Sequence, residues 1–159
     1  MMLNTLLLVL ALVAPPGGPK DPCGLLSAAE LQTLTPNVRI ATGVPKTITG
    51  MGFACEYAWG TGGNVQTGKS FLNVIVNEAS KMFPGMDAAT VKQAIVIGKN
   101  ATPIPGIGEA ASFVSNAPIR ADATAYVKGY ILEITFESIN SRAQKDQLIA
   151  LLKTAAGRL

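Results

Sequence analysis

The chain has 159 residues, enough for one compact domain, with 13 basic and 10 acidic side chains, a formal charge of +3 and no histidine. Its cations are scattered rather than clustered and are not interleaved with aromatics, which excludes the electrostatic footprint of a nucleic-acid binder. Without histidine there is no Ser-His-Asp triad, no Cys-His nucleophile pair and no imidazole metal site, and its two cysteines alone are too few for structural zinc.

Residues 3–14, LNTLLLVLALVA, form an apolar run that is short for a membrane span and is followed at once by PPGGPK, which cannot continue a helix. The pattern predicts a signal peptide or N-terminal hydrophobic leader over 1–18 and a single α+β domain over 19–159. A buried N-terminal strand or an uncleaved anchor helix is the other reading, since no Lys or Arg precedes the run and Ala14 is followed by proline. Membrane contact, on this reading, comes only through an uncleaved leader. The expected location is secreted, periplasmic or cell envelope.

Two cysteines, Cys23 and Cys55, fall in this exported context. A lipid anchor needs small and apolar residues directly before the cysteine, but Lys20, Asp21 and Pro22 stand there. An even pair in an oxidising compartment is most simply a disulfide. After Cys23, Ser27 and Glu30 have capping-box spacing, Leu26 and Leu31 the spacing of a hydrophobic staple, and a helix is expected over Ala28–Leu34, stopping before Pro36.

Residues 35–52 mix turn formers with isolated β-branched residues and predict a loop with one short strand. FACEYAWG, 53–60, alternates, with Phe53, Cys55, Tyr57 and Trp59 on one face. Aromatics alternating along a strand are ordinary core residues, yet Phe53, Tyr57 and Trp59 are also the residue types of recognition hot spots, so they are the candidate binding residues. A flexible, glycine-rich hairpin loop follows, then a strand in SFLNVIVNEA with Leu72, Val74 and Val76 facing one way and Asn73 and Asn77 the other.

Asp87 caps a predicted helix over Ala88–Ile97, with Val91, Ala94 and Ile95 as its buried stripe and Gly98 as its stop. GIGEA, 106–110, lacks the preceding strand, third glycine and following helix of a nucleotide loop, and reads as a turn feeding a strand from Ala110 to Val114. ATAYVKGYILEITFES reads as a hairpin turning near Lys128 and Gly129. Tyr130, Leu132, Ile134 and Phe136 take its core face, and Glu133, Thr135 and Glu137 its outward face. Ser141 and Gln144 have capping-box spacing, and Leu148, Leu151, Leu152, Ala155 and Leu159 form the stripe of a terminal amphipathic helix. The order α-β-β-α-β-β-β-α predicts an α+β fold, one largely antiparallel sheet of about five strands with helices packed on it.

DPCGLLSAAELQTL, the second cysteine in CEYAW, IPGIGEAASFV and the terminal amphipathic helix together resemble the small exported bacterial domains grouped as domain of unknown function 3558 and related putative lipoproteins. The resemblance spans roughly residues 21–159 and implies a periplasmic or cell-surface α+β domain with a Cys23–Cys55 disulfide and no assigned activity. This chain departs from the lipoprotein members in lacking an anchor cysteine at the leader boundary.

The expectation is therefore an exported, disulfide-stabilised, non-catalytic binding domain for a small apolar ligand or an envelope protein, with no cofactor and no metal. One alternative is a carboxylate-based hydrolase-like enzyme, against which Glu56, Glu133 and Glu137 are expected on solvated strand faces. The other is a secreted protein inhibitor that projects the glycine-rich loop 60–68 as a wedge.

Overall fold

The computed structural model describes residues 21–36, 38–48, 52–116, 118–139 and 141–159, so the expected leader, 1–18, lies outside the described residues. A 3₁₀ turn, Pro22–Gly24, and helix α1, Ala28–Leu31, come first. Ser27 and Glu30 close the reciprocal box that their spacing predicts, each side chain accepting the other's backbone N–H. Leu26 and Leu31 are both buried. The helix ends before the expected Leu34 because the hydrogen bonds tighten after Leu31, with Thr33 N–H donating to Glu30 and Leu34 N–H to Leu31.

Strands β1 (Val44–Ile48), β2 (Gly52–Trp59) and β3 (Ser70–Glu78) form an antiparallel meander. The loop between β2 and β3 is a compact turn rather than an open one: Asn64 and Thr67 cap each other and Val65 is buried. Helices α2 (Ala79–Met82) and α3 (Ala88–Ile97) then cross to a second meander, β4 (Thr102–Pro103), β5 (Ala110–Asn116), β6 (Arg120–Val127) and β7 (Tyr130–Glu137). Helix α3 has the predicted bounds, and Asp87 accepts the Thr90 N–H as its cap. Lys128 and Gly129 both have positive φ, as a tight β6–β7 hairpin turn requires. Helix α4, Lys145–Ala156, closes the chain.

The two meanders join where β3 pairs antiparallel with β7, giving one seven-stranded sheet in the order β1-β2-β3-β7-β6-β5-β4. The α+β class holds, and the expected strand count of about five does not. The additional strands are the edges β1, which is the one short strand expected within 35–52 but not counted in the sheet, and β4; both are largely exposed and carry Pro45 and Pro103, so neither shows the alternation that marks a half-buried strand.

On one sheet face Cys55, Tyr57 and Trp59 of β2, Leu72, Val74 and Val76 of β3, Leu132, Ile134 and Phe136 of β7, and the alanines of β6 pack under the N-terminal turn, α1 and α4. Leu148, Leu151, Leu152 and Ala155 of α4 are buried there, the stripe that their spacing predicts. The expected Ser141–Gln144 capping box does not form. Residues 141–144 wind as a 3₁₀ turn, and the Ser141 hydroxyl, fully buried, donates to the Pro118 carbonyl instead.

Cys23 and Cys55 form a disulfide, Cα atoms 5.0 Å apart, that pins the N-terminal turn to β2 across a separation of 32 residues. Glu30 takes Arg158 through both guanidinium nitrogens, at 2.6 and 2.9 Å, while Arg158 Nη1 also donates to the Leu25 carbonyl. The same N-terminal segment is thereby tied to the end of α4. Arg158, helped by the Ser27 N–H, lowers the Glu30 pKa to about 2.

The opposite sheet face is covered at one end by α2 and α3, where Ala79, Val91, Tyr126 and Ile131 form a second small core. Of the stripe predicted on α3, Val91 is buried and Ile95 half-buried, but Ala94 is exposed.

Candidate functional site

The three aromatics of β2 do not share an environment. Tyr57 is buried, its hydroxyl in long contacts of 3.4 and 3.5 Å with the carbonyls of Cys23 and Leu26, and burial, followed by the charge of Asp21, pushes its pKa up. Trp59 is 6 % exposed and stacks on Phe136 with ring centroids 5.7 Å apart. Phe53, at the start of the strand and beyond the helical cover, is 51 % exposed. It lines an open groove of about 390 Å³ with Asp21, Pro22, Pro45, Lys46, Thr47 and Ala54.

The acidic face of β7 also differs from its expected solvated form. Thr135 is buried and the Glu133 side chain is 15 % exposed. Arg120 lies among three acids, with Nε 3.0 Å from Asp122, Nη1 3.3 Å from Glu137 and Nη2 3.9 Å from Glu133. Burial, followed by the charge of Asp122, raises the Glu133 pKa, while the Thr135 hydroxyl, donating at 3.1 Å, and Arg120 oppose the shift. The register explains the burial: Glu133 sits opposite Ile75 and Thr124, inside the sheet rather than at its rim.

A larger concavity lies on the far side of the sheet, around the 103–111 segment. Val91 and Ile95 of α3 turn toward the second core, so Ala89, Lys92, Gln93 and Val96, spaced i, i+3, i+4, i+7, form a different face of the helix. That face and Pro103–Ala111 bound an open groove of about 610 Å³. Across the loop, Gly106–Glu109 also wall a groove of about 470 Å³ with Val127, Lys128, Lys153, Ala156 and Gly157.

The loop between the grooves is held at several points. Ile104 N–H donates to Ala111 and Glu109 N–H to Tyr126. The Glu109 carboxylate accepts from Lys92 Nζ at 3.2 Å and from the Lys128 N–H at 3.1 Å, bracing the loop to α3 and to the β6–β7 turn. Gly108 has φ +56°, and a Cβ there would meet the Tyr126 carbonyl at 2.3 Å, so only glycine fits.

In the sequence GIGEA reads as a turn and carries no signal that it meets α3. The helix is apolar nearly all round, so its sequence does not tell which face is buried and which is left to line a groove. Among the described residues, each of these three grooves carries one acid, Asp21 or Glu109. Among the same residues, no group of His, Cys, Asp or Glu is placed to hold a metal ion, and no helix is long and apolar enough to cross a membrane.

Comparison with protein-family profiles, with curated proteins and with solved structures finds no match to this chain.

Proposed function

We propose that the chain is an exported, disulfide-stapled domain that binds a small, largely apolar ligand in the groove between α3 and residues 103–111, without catalysing a reaction on it. The observation that carries this reading is the groove itself, about 610 Å³, with Ala89, Val96, Pro103, Ile104 and Pro105 supplying apolar walls and Lys92, Gln93 and Glu109 the few polar groups. Its size and composition are those of small-molecule sites. The disulfide suits the oxidising compartment that the apolar leader sequence suggests. Binding is favoured over carboxylate hydrolysis because Glu109, the acid at the groove, braces the loop, whereas general acid–base work needs a second group within reach of the substrate.

The test is a titration of oxidised protein with monomeric decanol, followed through backbone amide chemical shifts. Saturable changes are expected at Ala89, Gln93, Val96, Ile104, Gly106, Ile107 and Gly108, together with loss of binding in Ala89→Trp at an unchanged melting temperature. Absence of saturable shifts, or shifts gathered on Phe53, Lys46 and Ala54, overturns the assignment.

An envelope-protein partner is the second reading, and the exposed Phe53 between Pro22 and Pro45 favours it. Phe53→Ala would then abolish capture of that partner while leaving decanol binding intact.

A further inference from the structure

Resting on the groove assignment above, we infer that the ligand is an acidic amphiphile, its apolar chain along α3 and its anionic head on the other side of the Gly106–Gly108 ridge, near Lys128 and Lys153. Three observations converge on this. The first is the shape of the ridge. Ile107 is buried, Gly106 and Gly108 have no side chain, and a Cβ on Gly106 would meet nothing within 4 Å. Over Gly106–Gly108 the wall shared by the two grooves is therefore topped by main chain alone, with the Glu109 carboxylate at its end, and an extended molecule can lie across the glycine stretch from one groove into the other.

The second is hydrogen bonding. Among the described residues, no acceptor engages the N–H of Gly106, Ile107 or Gly108. Gly106–Gly108 carry main-chain donors for an anion and no side-chain acceptor of their own, and the neighbouring acceptor, the Glu109 carboxylate, is already engaged by Lys92 Nζ and the Lys128 N–H.

The third is charge. Lys92, Lys128 and Lys153 line the two grooves against the single carboxylate of Glu109. Glu109 is engaged with Lys92, and among the described residues no carboxylate pairs with Lys128 or Lys153. An apolar groove opening beside two unneutralised ammonium groups complements a carboxylate or a phosphate monoester carrying a hydrocarbon chain. The carbonyl ends of α4 partly offset Lys153, which stands in the last turn of that helix, so Lys128 carries the larger share.

The experiment compares decanoic acid, decyl phosphate and decanol, each below its aggregation limit, on oxidised wild type and on the double variant Lys128→Asn, Lys153→Ala. Asparagine is used at 128 because it tolerates the left-handed backbone there. Wild type is expected to prefer the two acids over decanol by roughly tenfold, and the preference should fall toward unity in the double variant and in about 0.5 M salt, with decanol binding unchanged. The single variant at 128 should lose more of the preference than the one at 153. Decanol binding as tightly as decanoic acid in wild type overturns this inference and leaves the apolar groove assignment standing, whereas failure of all three probes to bind overturns both.

Vesicles of phosphatidylglycerol in phosphatidylcholine separate two sources of the same chemistry. Co-sedimentation that the double variant loses assigns the acid to a membrane headgroup, and binding of monomeric decanoate without co-sedimentation assigns it to a free amphiphile.

Discussion

Removing the disulfide by Cys23→Ala with Cys55→Ala should lower stability by an amount that the structure allows to be worked out. The bond closes a separation of 32 residues, for which the chain-entropy relation gives about 3–4 kcal/mol. Cys55 is fully buried, so loss of its sulfur adds a small cavity worth about 1 kcal/mol. Against a total of about 5–15 kcal/mol for a domain of this size, that is a large fraction, equivalent to a fall of roughly 10–15 °C in Tm. Urea unfolding of the oxidised wild type, the reduced wild type and the double variant separates the two contributions, since reduction opens the loop without emptying the site. The reduced and mutant chains should also show a larger denaturant slope, because the open chain exposes more surface when unfolded. Intact mass before and after alkylation comes first: protein recovered from an exporting host should take up alkylating agent only after reduction. A double variant within about 1 kcal/mol of the oxidised wild type at unchanged slope would refute the staple as a source of stability.

The three aromatics of β2 should separate sharply on substitution. Trp59→Ala, which empties the stack on Phe136, is expected to cost about 3–5 kcal/mol, while Phe53→Ala should stay within about 0.5 kcal/mol, both read by denaturant midpoint. The Glu30–Arg158 pair predicts a pH dependence. Because the folded carboxyl titrates at about 2, below its ordinary 4.5, the unfolded chain binds more protons between those values; the pair's stabilisation is present above pH 4.5 and is lost as pH falls toward 2. Allowing for solvent screening, its size is about 1–2 kcal/mol, and Glu30→Gln should flatten the stability profile over that range and lower stability by that amount at neutral pH. An unchanged acid limb in Glu30→Gln would show that other carboxylates govern it.

What the sequence discloses depends on how one-sided each segment's environment is. The leucines of α4 bury one clear face, and in the hairpin arm Tyr130–Glu137 the large apolar side chains Leu132, Ile134 and Phe136 alternate with polar ones, so both periods are legible in the sequence. The Ser27–Glu30 box and the Asp87 cap are legible as local pairings with little competition, and the cysteine pair, 32 residues apart, because the chain has no third cysteine. Ser141 had the same spacing and a different outcome, because a partner 23 residues away, the Pro118 carbonyl, took its hydroxyl. Local patterns cannot anticipate such a competitor. Glu133 was misplaced for a related reason: alternation says which face a residue takes, but the strand order that puts β3 beside β7 decides how much of that face is covered. The groove lay beyond reach because it joins α3 to a loop through packing, and the only local signals, the glycines of GIGEA and a helix apolar nearly all round, do not say that they meet.

The prolines of β1 and β4 bear on how the domain meets other molecules. A sheet ordinarily invites growth at its rims, where unpaired main-chain groups wait for another strand. Here each described rim is blunted, by Pro45 beside Lys46 on one side and by Pro103 in a strand of two residues on the other. An approaching segment finds a pyrrolidine ring where a ladder would need a donor. Each described edge is thereby blunted against the strand-to-strand growth by which β-proteins polymerise. On the binding role proposed above, selectivity would be set by the shape and charge of the grooves rather than by the generic appetite of one backbone for another.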